Sequence, residues 1–392
     1  MSRLRLVVLG LMGALPFAGV AWQVLHYLEG FRRLGHDVWY VEDTGAWPFD
    51  VEANAVSGDP RYTVDYLARA MAGAGFADRW AYRAACETGR VYGQPEPALR
   101  RVLAGADVLV NLSGATVLGP EHARVPVRIY LETDPVLPQI EVALGRRFTI
   151  EHLAAHTHHF TFGENLGAPD CEVPGGVFAY HPTRQPVVLD WWRPSPLATP
   201  AANGLLRFTT VANWRQREKD VAWQGRTLGW SKHERFEMVL DLPRRSAQHF
   251  ELALAAVDDA ARARLDAHGW RVVDAVALTR EPGPYRDYVW ASSAEFTVAK
   301  AQNVELRSGW FSDRSACYLA AGKPVVTEDT GFGRVLPTGR GLFAFRSLDD
   351  ALGAVDAIAA DRAAHAAAAR EIARAHFAAE QVLGELLARA GV

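Results

Sequence analysis

The most restrictive part of the sequence is residues 309–331, which read GWFSDRSACYLAAGKPVVTEDTG. The pattern predicts a short helix, because Ser312 or Asp313 can cap its first turn and Gly322 can end it. Residues 324–327, Pro-Val-Val-Thr, have the apolar character of a short buried strand. The segment therefore predicts a loop–helix–turn–strand unit of an α/β fold.

The two ends of this unit carry polar groups of different kinds. The helix N-terminus would combine unpaired backbone N–H groups with the hydroxyls of Ser312 and Ser315 and the guanidinium of Arg314, which together suit a phosphate. Glu328 and Asp329 follow the strand, at the sheet edge where ligands of open parallel sheets bind. We expect these acids to bind sugar hydroxyls, so that the unit would hold a sugar–nucleotide diphosphate.

The run Ala-Ala-Gly-Lys-Pro-Val-Val at 320–326, followed by Leu-Pro-Thr-Gly-Arg-Gly-Leu at 336–342, resembles the donor-binding half of glycosyltransferases of the GT-B fold. This resemblance implies an α/β chain with two Rossmann-like domains facing across a cleft, and a C-terminal helix that crosses back to the first domain. It places the donor phosphates on Asp313, Arg314 and Ser315.

The sequence departs from the family pattern at two positions. Gly309 stands where many members have a histidine, and Cys317 stands where the helix usually carries a ribose-binding glutamate. The resemblance is therefore to a divergent subfamily, and it leaves the nucleotide and the ribose contact open.

Composition is typical of a soluble globular protein of two domains. The chain has 392 residues, 49% of them hydrophobic, and a net charge of −3. Without a basic surface, nucleic acid is not an expected partner. Cys86, Cys171 and Cys317 are scattered, so we expect a reducing cytoplasm, and no stretch is apolar and long enough to predict a membrane span.

The N-terminus predicts a βαβ opening. Residues 6–14 are apolar but broken by glycines, residues 20–36 have helical spacing, and residues 37–41 form a second apolar run. A signal peptide is the alternative interpretation, and we reject it because cleavage would cut this unit apart.

The loop between the first strand and the first helix would face the cleft in the GT-B resemblance. We expect Gly13, Pro16, Phe17 and Gly19 of this loop to lie on the acceptor side, where glycine lets the backbone approach a substrate. A tight turn that binds no ligand remains an equal alternative.

A catalytic base is expected at the cleft edge of the first domain. Residues 125–131 predict a strand that delivers Asp134 to this edge, and an Asp-Pro turn can project its carboxylate. Glu132, Glu42 and Asp43 are alternatives at other strand ends. A retaining mechanism, in which the leaving phosphate takes the proton, is a further alternative.

A group of histidines raises the question of a metal site. His152, His156, His158 and His159 lie close together in the sequence, but no nearby cysteine or carboxylate completes a ligand set. We expect exposed helix residues that lead into a strand, and no metal.

Proline content predicts the division of the chain. Residues 1–185 would form the N-terminal acceptor-side domain, and residues 186–204 a stiff linker. Residues 205–375 would form the C-terminal nucleotide-sugar-binding domain, and residues 376–392 the crossover helix.

Lysine is rare enough to be informative. The four lysines, against thirty-eight arginines, are Lys219, Lys232, Lys300 and Lys323. Because an ammonium and a guanidinium bind phosphate differently, we expect Lys232 and Lys300, in loops at the carboxyl edge of the second sheet, to contact the donor. Chance placement of surface lysines is the alternative.

These patterns together predict a glycosyltransferase that moves a sugar from a nucleotide-diphosphate sugar to a small-molecule or glycan acceptor, without a metal or other cofactor. A sugar-nucleotide epimerase of the same fold is the alternative, and a non-enzymatic nucleotide-sugar-binding protein is a third. The sequence does not give the oligomeric state.

Overall fold

The computed structural model describes residues 3–193, 204–216 and 219–392. The first half of the chain builds an eight-stranded sheet in the order β10-β9-β8-β7-β1-β2-β5-β6. The strands of this half of the chain, of which β3 and β4 lie outside this sheet, are β1 (Arg5–Leu9), β2 (Asp37–Glu42), β3 (Phe49–Asp50), β4 (Ala55–Val56), β5 (Trp80–Ala84), β6 (Arg90–Gly93), β7 (Val108–Leu112), β8 (Val127–Glu132), β9 (His158–Thr161) and β10 (Tyr180–Pro182). Its helices are α1 (Ala18–Arg33), α2 (Arg61–Gly73), α3 (Glu96–Ala104), α4 (Leu137–Ala143) and α5 (Arg147–Ala154).

Pairing in this sheet is parallel except between β5 and β6, and β3 with β4 forms a separate hairpin. The central strand β1 is apolar throughout Leu6–Leu9, and all four residues are fully buried. A continuous apolar run is what a parallel strand covered on both faces requires.

The second half of the chain builds a six-stranded, fully parallel sheet in the order β15-β14-β11-β16-β17-β18. The strands are β11 (Arg207–Asn213), β12 (Val221–Trp223), β13 (Arg226–Leu228), β14 (His249–Ala255), β15 (Arg271–Asp274), β16 (Ala294–Thr297), β17 (Val325–Glu328) and β18 (Leu342–Phe345), with β12 and β13 as a hairpin. The helices are α6 (His233–Phe236), α7 (Leu242–Arg245), α8 (Asp259–Ala267), α9 (Ala275–Thr279), α10 (Pro282–Ala291), α11 (Ala301–Glu305), α12 (Asp313–Ala320), α13 (Leu348–Ala360), α14 (Arg362–His376) and α15 (Ala379–Arg389).

The unit that dominates the sequence forms as predicted, with α12 leading into β17. The segment that ends at Lys300 was predicted as a loop, and this was wrong for its first part, which is the inner strand β16. The strand was missed because Glu295 interrupts its apolar run. That carboxylate is fully buried and paired with Arg314, a partner that the local sequence does not reveal.

The C-terminal helix crosses back to the first domain, as the fold predicts. Helix α14 packs on α12, whereas α15 packs on α1. Leu383, Leu386 and Leu387 belong to the core of the first sheet. The crossing point is tied to the connection between the domains, because Val187 donates to Phe377 O at 2.7 Å and accepts from Ala379 N at 3.0 Å.

The connection between the sheets is described only in part. Residues 194–203, most of the predicted linker 186–204, lie outside the described residues. Before them, Trp192 is fully buried against Trp22 and Tyr285. The limits of the four predicted segments stay predictions. None of the helices within the described ranges is long and apolar enough to cross a lipid bilayer.

Replacing Gly30 by alanine tests the packing of α15 on α1. A Cβ at this position would lie 2.5 Å from Leu383 Cδ1 and 3.0 Å from Ala379 Cβ. We expect Gly30→Ala to lower the free energy of unfolding by about 1–3 kcal/mol through overpacking, measured by urea denaturation. In the matched control Gly19→Ala, in the same helix, the added Cβ meets nothing within 4 Å. Equal effects of the two substitutions would contradict this packing.

Candidate functional site

A cavity of about 460 Å³ lies between the two sheets. The first domain contributes the loop after β1, the start of α1 and residues 185–187. The second domain contributes residues that follow the carboxyl ends of β11, β14, β15 and β16, and the start of α12. This is the position at which parallel sheets bind ligands.

Five of the residues predicted to bind the donor line this cavity. They are Lys232, Lys300, Ser312, Asp313 and Arg314. Ser315 lies behind them, fully buried, and its hydroxyl has no hydrogen-bond partner among the described residues. The structure therefore brings most of the predicted cationic and helix-terminal groups to one place.

Arg314 is held in position from three sides. Its guanidinium pairs with Glu295, donates to Val211 O at 2.8 Å and donates to Thr297 Oγ1 at 3.0 Å. Its positive charge is therefore fixed at the cavity before any ligand arrives, at the cost of burying Glu295.

The two lysines differ in their partners. Lys300 Nζ lies 2.6 Å from Asp134 Oδ1 and 3.3 Å from the ring centroid of Trp230. Lys232 is buried, and no carboxylate of the described chain lies within ion-pairing distance of it. Burial and the neighbouring charge of Arg314 hold the pKa of Lys232 well below its usual value. An anionic ligand would raise this pKa again and so favour the protonated, positively charged form of Lys232.

The start of α12 differs from the prediction in one respect. Ser312 occupies the N-cap position, but its side chain makes no capping hydrogen bond, and neither does Asp313 cap the helix, because Asp313 is its first residue. The Asp313 carboxylate instead accepts a hydrogen bond from Gln23 Nε2 of α1 at 3.2 Å. Burial raises the pKa of Asp313 to about 7. This carboxylate faces the first domain across the cavity.

Asp134, the predicted base, lies at the margin of the cavity. It does not line the cavity itself, and its carboxylate is paired with Lys300 of the opposite domain. The neighbouring alternative Glu132 is buried beneath the sheet edge, where Gln139 and Thr161 donate to it. Burial raises the pKa of Glu132 to about 8.

Glu328 and Asp329 lie apart from the lining residues. Glu328 pairs with Arg235 and accepts from the backbone N–H of Ala299, next to Lys300. Asp329 pairs with Arg346 at 2.6 Å and with Arg307 at 3.4 Å. Their assignment to sugar hydroxyls stays a prediction. In the described structure both carboxylates are engaged by arginines.

The acceptor-side loop is divided between the cavity and the core. Phe17 and Gly19 line the cavity, whereas Gly13 and Pro16 do not and are buried. A Cβ at Gly13 would lie 2.8 Å from Thr63 Cγ2. Gly13 is thus required by close packing beneath the loop.

Glu42 fixes this loop from below. Its carboxylate accepts from Gly13 N and Ala14 N, each at 2.6 Å, and from the Tyr40 hydroxyl at 2.6 Å. Met12 N donates to the same hydroxyl at 2.9 Å. Burial raises the pKa of Glu42 to about 7. Glu42 therefore holds the loop backbone directly through Gly13 and Ala14 and indirectly through the Tyr40 hydroxyl, which makes it a positioning residue.

The histidine group was predicted to be exposed, and this was wrong. His156 and His159 are buried, and His152 is half-buried, around the ring of Tyr130. These rings are buried because α5 packs against β8 and β9. Burial lowers the pKa of His156 to about 3. These rings therefore serve as neutral core side chains.

One set of side chains elsewhere has ligand atoms close together: those of Asp43, Glu121 and His122 lie within 4.8 Å of one another. Arg83 occupies both carboxylates, at 2.6 Å and 2.8 Å. Gly119 N donates to His122 Nδ1 at 3.1 Å, so the proton of the neutral ring is on Nε2. The geometry fits an ion cluster around Arg83 better than a metal site.

The two departures from the family pattern have distinct surroundings. At Gly309 a Cβ would lie 2.5 Å from the backbone nitrogen of Asn165, so the first domain's backbone fills the space of a side chain there. Cys317 lines the cavity, and its sulfur lies 3.8 Å from His26 Nε2. A ribose bound here would meet a thiol in place of a carboxylate.

Solved structures similar to this chain match it over its whole length. HepE from Anabaena, solved with UDP and glucose, gives a TM-score of 0.59 at 11% identity, covering 98% of this chain and 100% of that one. AviGT4, a glycosyltransferase involved in avilamycin A biosynthesis, gives 0.54 at 13% identity, covering 99% and 97%. An α-glucosyltransferase solved with UDP and a 13-mer DNA gives 0.59 at 10% identity, covering 100% of both chains. The chain has the GT-B fold.

Sequence comparison adds no closer relative. No protein-family model matches the chain, and no curated protein matches it. At such identities the likeness establishes the GT-B fold and not the substrate. The DNA bound to the α-glucosyltransferase means that this fold alone does not exclude nucleic acid as a partner.

Several lining residues were missed by the sequence analysis. Asn213 ends β11 and Gln216 follows it, so the rule that ligands lie at carboxyl strand ends would have found them. Trp230, Tyr285 and Gln23 also line the cavity, and no local pattern marks them. They are brought there by the packing of separate elements.

Replacing Arg314 tests whether its guanidinium is held in place by the buried Glu295 carboxylate. We expect Arg314→Met to lower the free energy of unfolding by about 3–5 kcal/mol, because Glu295 stays buried without a counter-charge. The double variant Arg314→Met/Glu295→Gln should recover part of this loss. The control is Arg147→Met, whose ion pair with Glu151 is exposed and is expected to contribute about 0–1 kcal/mol. Similar losses at Arg314 and Arg147 in urea denaturation would disprove the interpretation.

Proposed function

We propose that the protein is a glycosyltransferase that transfers a sugar from a nucleotide-diphosphate sugar to a small-molecule or glycan acceptor without a metal ion. The observation that carries the proposal is the group formed by Lys232, Lys300, Arg314 and the start of α12 on one wall of the interdomain cavity. The GT-B fold supports it, since the similar HepE and α-glucosyltransferase structures hold UDP in the same overall architecture.

The chemistry requires stabilisation of a departing diphosphate. Negative charge develops on that group as the glycosidic bond breaks, and positioned cations at the site lower the barrier. Arg314 is fixed by Glu295. Lys232 has no carboxylate partner in the described chain, and a bound diphosphate would raise its lowered pKa and stabilise the ammonium form. These cationic side chains would stabilise the negative charge of the departing diphosphate, as a metal ion does in other transferases.

Lys300 would couple donor binding to the first domain. In the described structure its ammonium is paired with Asp134 across the cleft. A diphosphate that attracts Lys300 would compete with Asp134 and release its carboxylate to take the proton of the acceptor hydroxyl. Asp313, which lines the cavity, is the second candidate for this proton. Glu328 and Asp329 remain proposed contacts of the sugar hydroxyls.

The epimerase alternative uses the same fold and the same donor. It differs in product, because an epimerase converts the nucleotide sugar without any acceptor, whereas a transferase releases the nucleotide diphosphate. A binding protein would do neither. Incubation of a panel of nucleotide sugars with and without acceptor, analysed by chromatography, separates the three.

Lysine substitutions test the diphosphate site. We expect Lys232→Met and Lys300→Met each to weaken UDP binding about tenfold or more, because each removes a charge-assisted hydrogen bond. The matched control is Lys323→Met, since Lys323 lies at the turn before β17 and does not line the cavity. Titration calorimetry that gives wild-type affinity for all three variants would remove the phosphate assignment.

Asparagine substitutions test the two candidate bases. We expect Asp134→Asn to lower turnover about a hundredfold or more with UDP affinity nearly unchanged. Since the pKa of Asp313 is raised to about 7, a role for Asp313 would instead make the rate rise with pH through about 7, and Asp313→Asn would abolish that rise. A product that retains the anomeric configuration, with normal turnover in both variants, would exclude both bases.

A further inference from the structure

The charges of the cavity lie on one side. Its charged lining residues within the described chain all come from the second domain: Lys232, Lys300, Asp313 and Arg314. The first domain contributes apolar side chains, the amides of Gln23 and Gln185, and His26. Burial lowers the pKa of His26 to about 3, so this ring is neutral. The two walls of one cavity therefore differ in chemical character.

Apolar side chains of the first domain line the cavity and extend from it through Phe17 to Phe49. Leu15, Phe17 and Trp22 line the cavity itself. The ring of Phe17 contacts Phe49 of β3 at 6.0 Å between centroids. Leu15 is 41% exposed, and Trp47, two residues before Phe49, is 55% exposed. We call these five residues the apolar wall.

The loop after β1, which carries Leu15 and Phe17 of the apolar wall, is held in place by hydrogen bonds. Gly13 N and Ala14 N are bound by the buried Glu42 carboxylate, and Met12 N by the Tyr40 hydroxyl. The exposed Leu15 follows directly on this fixed backbone, and the half-buried Phe17 lies two residues further on. Such a surface is preorganised for a ligand, which lowers the entropy cost of binding.

We propose that the apolar wall binds the acceptor, and that the acceptor is a small uncharged alcohol or phenol with an apolar body. The inference rests on the proposed function only in naming this occupant the acceptor. Nucleic acid would require Lys or Arg against its phosphates, and none from the first domain lines the described cavity. An anionic acceptor would meet no cation of the first domain among the described lining residues, and Arg286 of the second domain, 5.6 Å from the ring centroid of Trp22, does not line the cavity.

A neutral oligosaccharide fits this surface less well, because its many hydroxyls need polar partners when they are buried. Of the first-domain amides that line the cavity, Gln23 donates to Asp313 and Gln185 donates to Phe311 O, and the Gln185 amide oxygen is a buried acceptor without a partner among the described residues. Asp313 lies beyond Gln23 towards the second domain. The acceptor hydroxyl would point to this carboxylate, while its apolar body would lie on Leu15, Phe17 and Trp22.

The test is ligand binding to the full-length protein, with and without saturating UDP, by saturation-transfer NMR and calorimetry. The probes are β-naphthol, its anionic analogue hydroxynaphthoic acid, maltotriose and a single-stranded oligothymidylate. We expect β-naphthol to bind about tenfold or more tightly than its anionic analogue. We expect Leu15→Ser and Phe17→Ala each to weaken β-naphthol binding by about fivefold or more, with UDP binding unchanged.

Val177→Ser is the matched control, because Val177 is 82% exposed in the first domain and does not line the cavity. UDP binding without β-naphthol binding overturns the acceptor inference and leaves the proposed function standing. Binding of maltotriose or oligothymidylate that is weakened by the Leu15 and Phe17 substitutions also overturns it. Binding of β-naphthol that follows the variant pattern supports the apolar wall even if UDP fails to bind, in which case the proposed function falls.

Discussion

The cavity depends on the contact between α1 and α15. The second half of the chain ends by placing Leu383, Leu386 and Leu387 in the core of the first sheet. Where the chain crosses, Val187 forms two backbone hydrogen bonds with the segment at Phe377 and Ala379, so both connections between the domains are tied together. Burial of these three leucine side chains contributes several kcal/mol to the free energy of unfolding, which helps to hold the two domains together. Without it the cationic side and the apolar wall would be joined only by the contacts across the cleft, such as Lys300 with Asp134 and Gln23 with Asp313.

A second constraint is electrostatic. Glu295 lies on an inner strand and is fully buried, which is costly unless it is neutralised. Arg314 neutralises it, and the pair fixes a guanidinium at the cavity. Lys232 and Lys300 then share a site in which one positive charge is already balanced and one ammonium has no carboxylate partner in the described chain. An anion from outside would balance this site, because its charge would raise the lowered pKa of Lys232 and favour the ammonium form.

The parts predicted correctly from the sequence are those whose cause is local. The unit of α12 and β17 is marked by Gly322, Pro324 and an apolar run, all within a few residues. Strand β16 was missed because the partner that allows Glu295 in a core is 19 residues away. Glu328 is paired with Arg235, 93 residues away, so its position after a strand did not reveal its engagement. The histidines near Tyr130 were misjudged for the same reason, since burial is decided by the packing of α5 on the sheet.

The two sides of the cavity show how one fold can separate two binding tasks. The first domain does contain carboxylates near the loop after β1. Glu42 accepts hydrogen bonds from backbone N–H groups, however, and Asp43 is paired with Arg83. These charges are neutralised within the domain, which leaves leucine and aromatic side chains as the surface that meets the ligand. On the second domain the reverse holds, because the buried Glu295 fixes Arg314 at the cavity, and neither Lys232 nor Lys300 has an ion-pair partner among the described residues of that domain. A ligand with an anionic end and an apolar end can contact the cationic side and the apolar wall at once. A ligand that is only anionic or only apolar complements one of the two sides. This separation of charge is the physical basis of the proposed pair of substrates, one charged and one apolar.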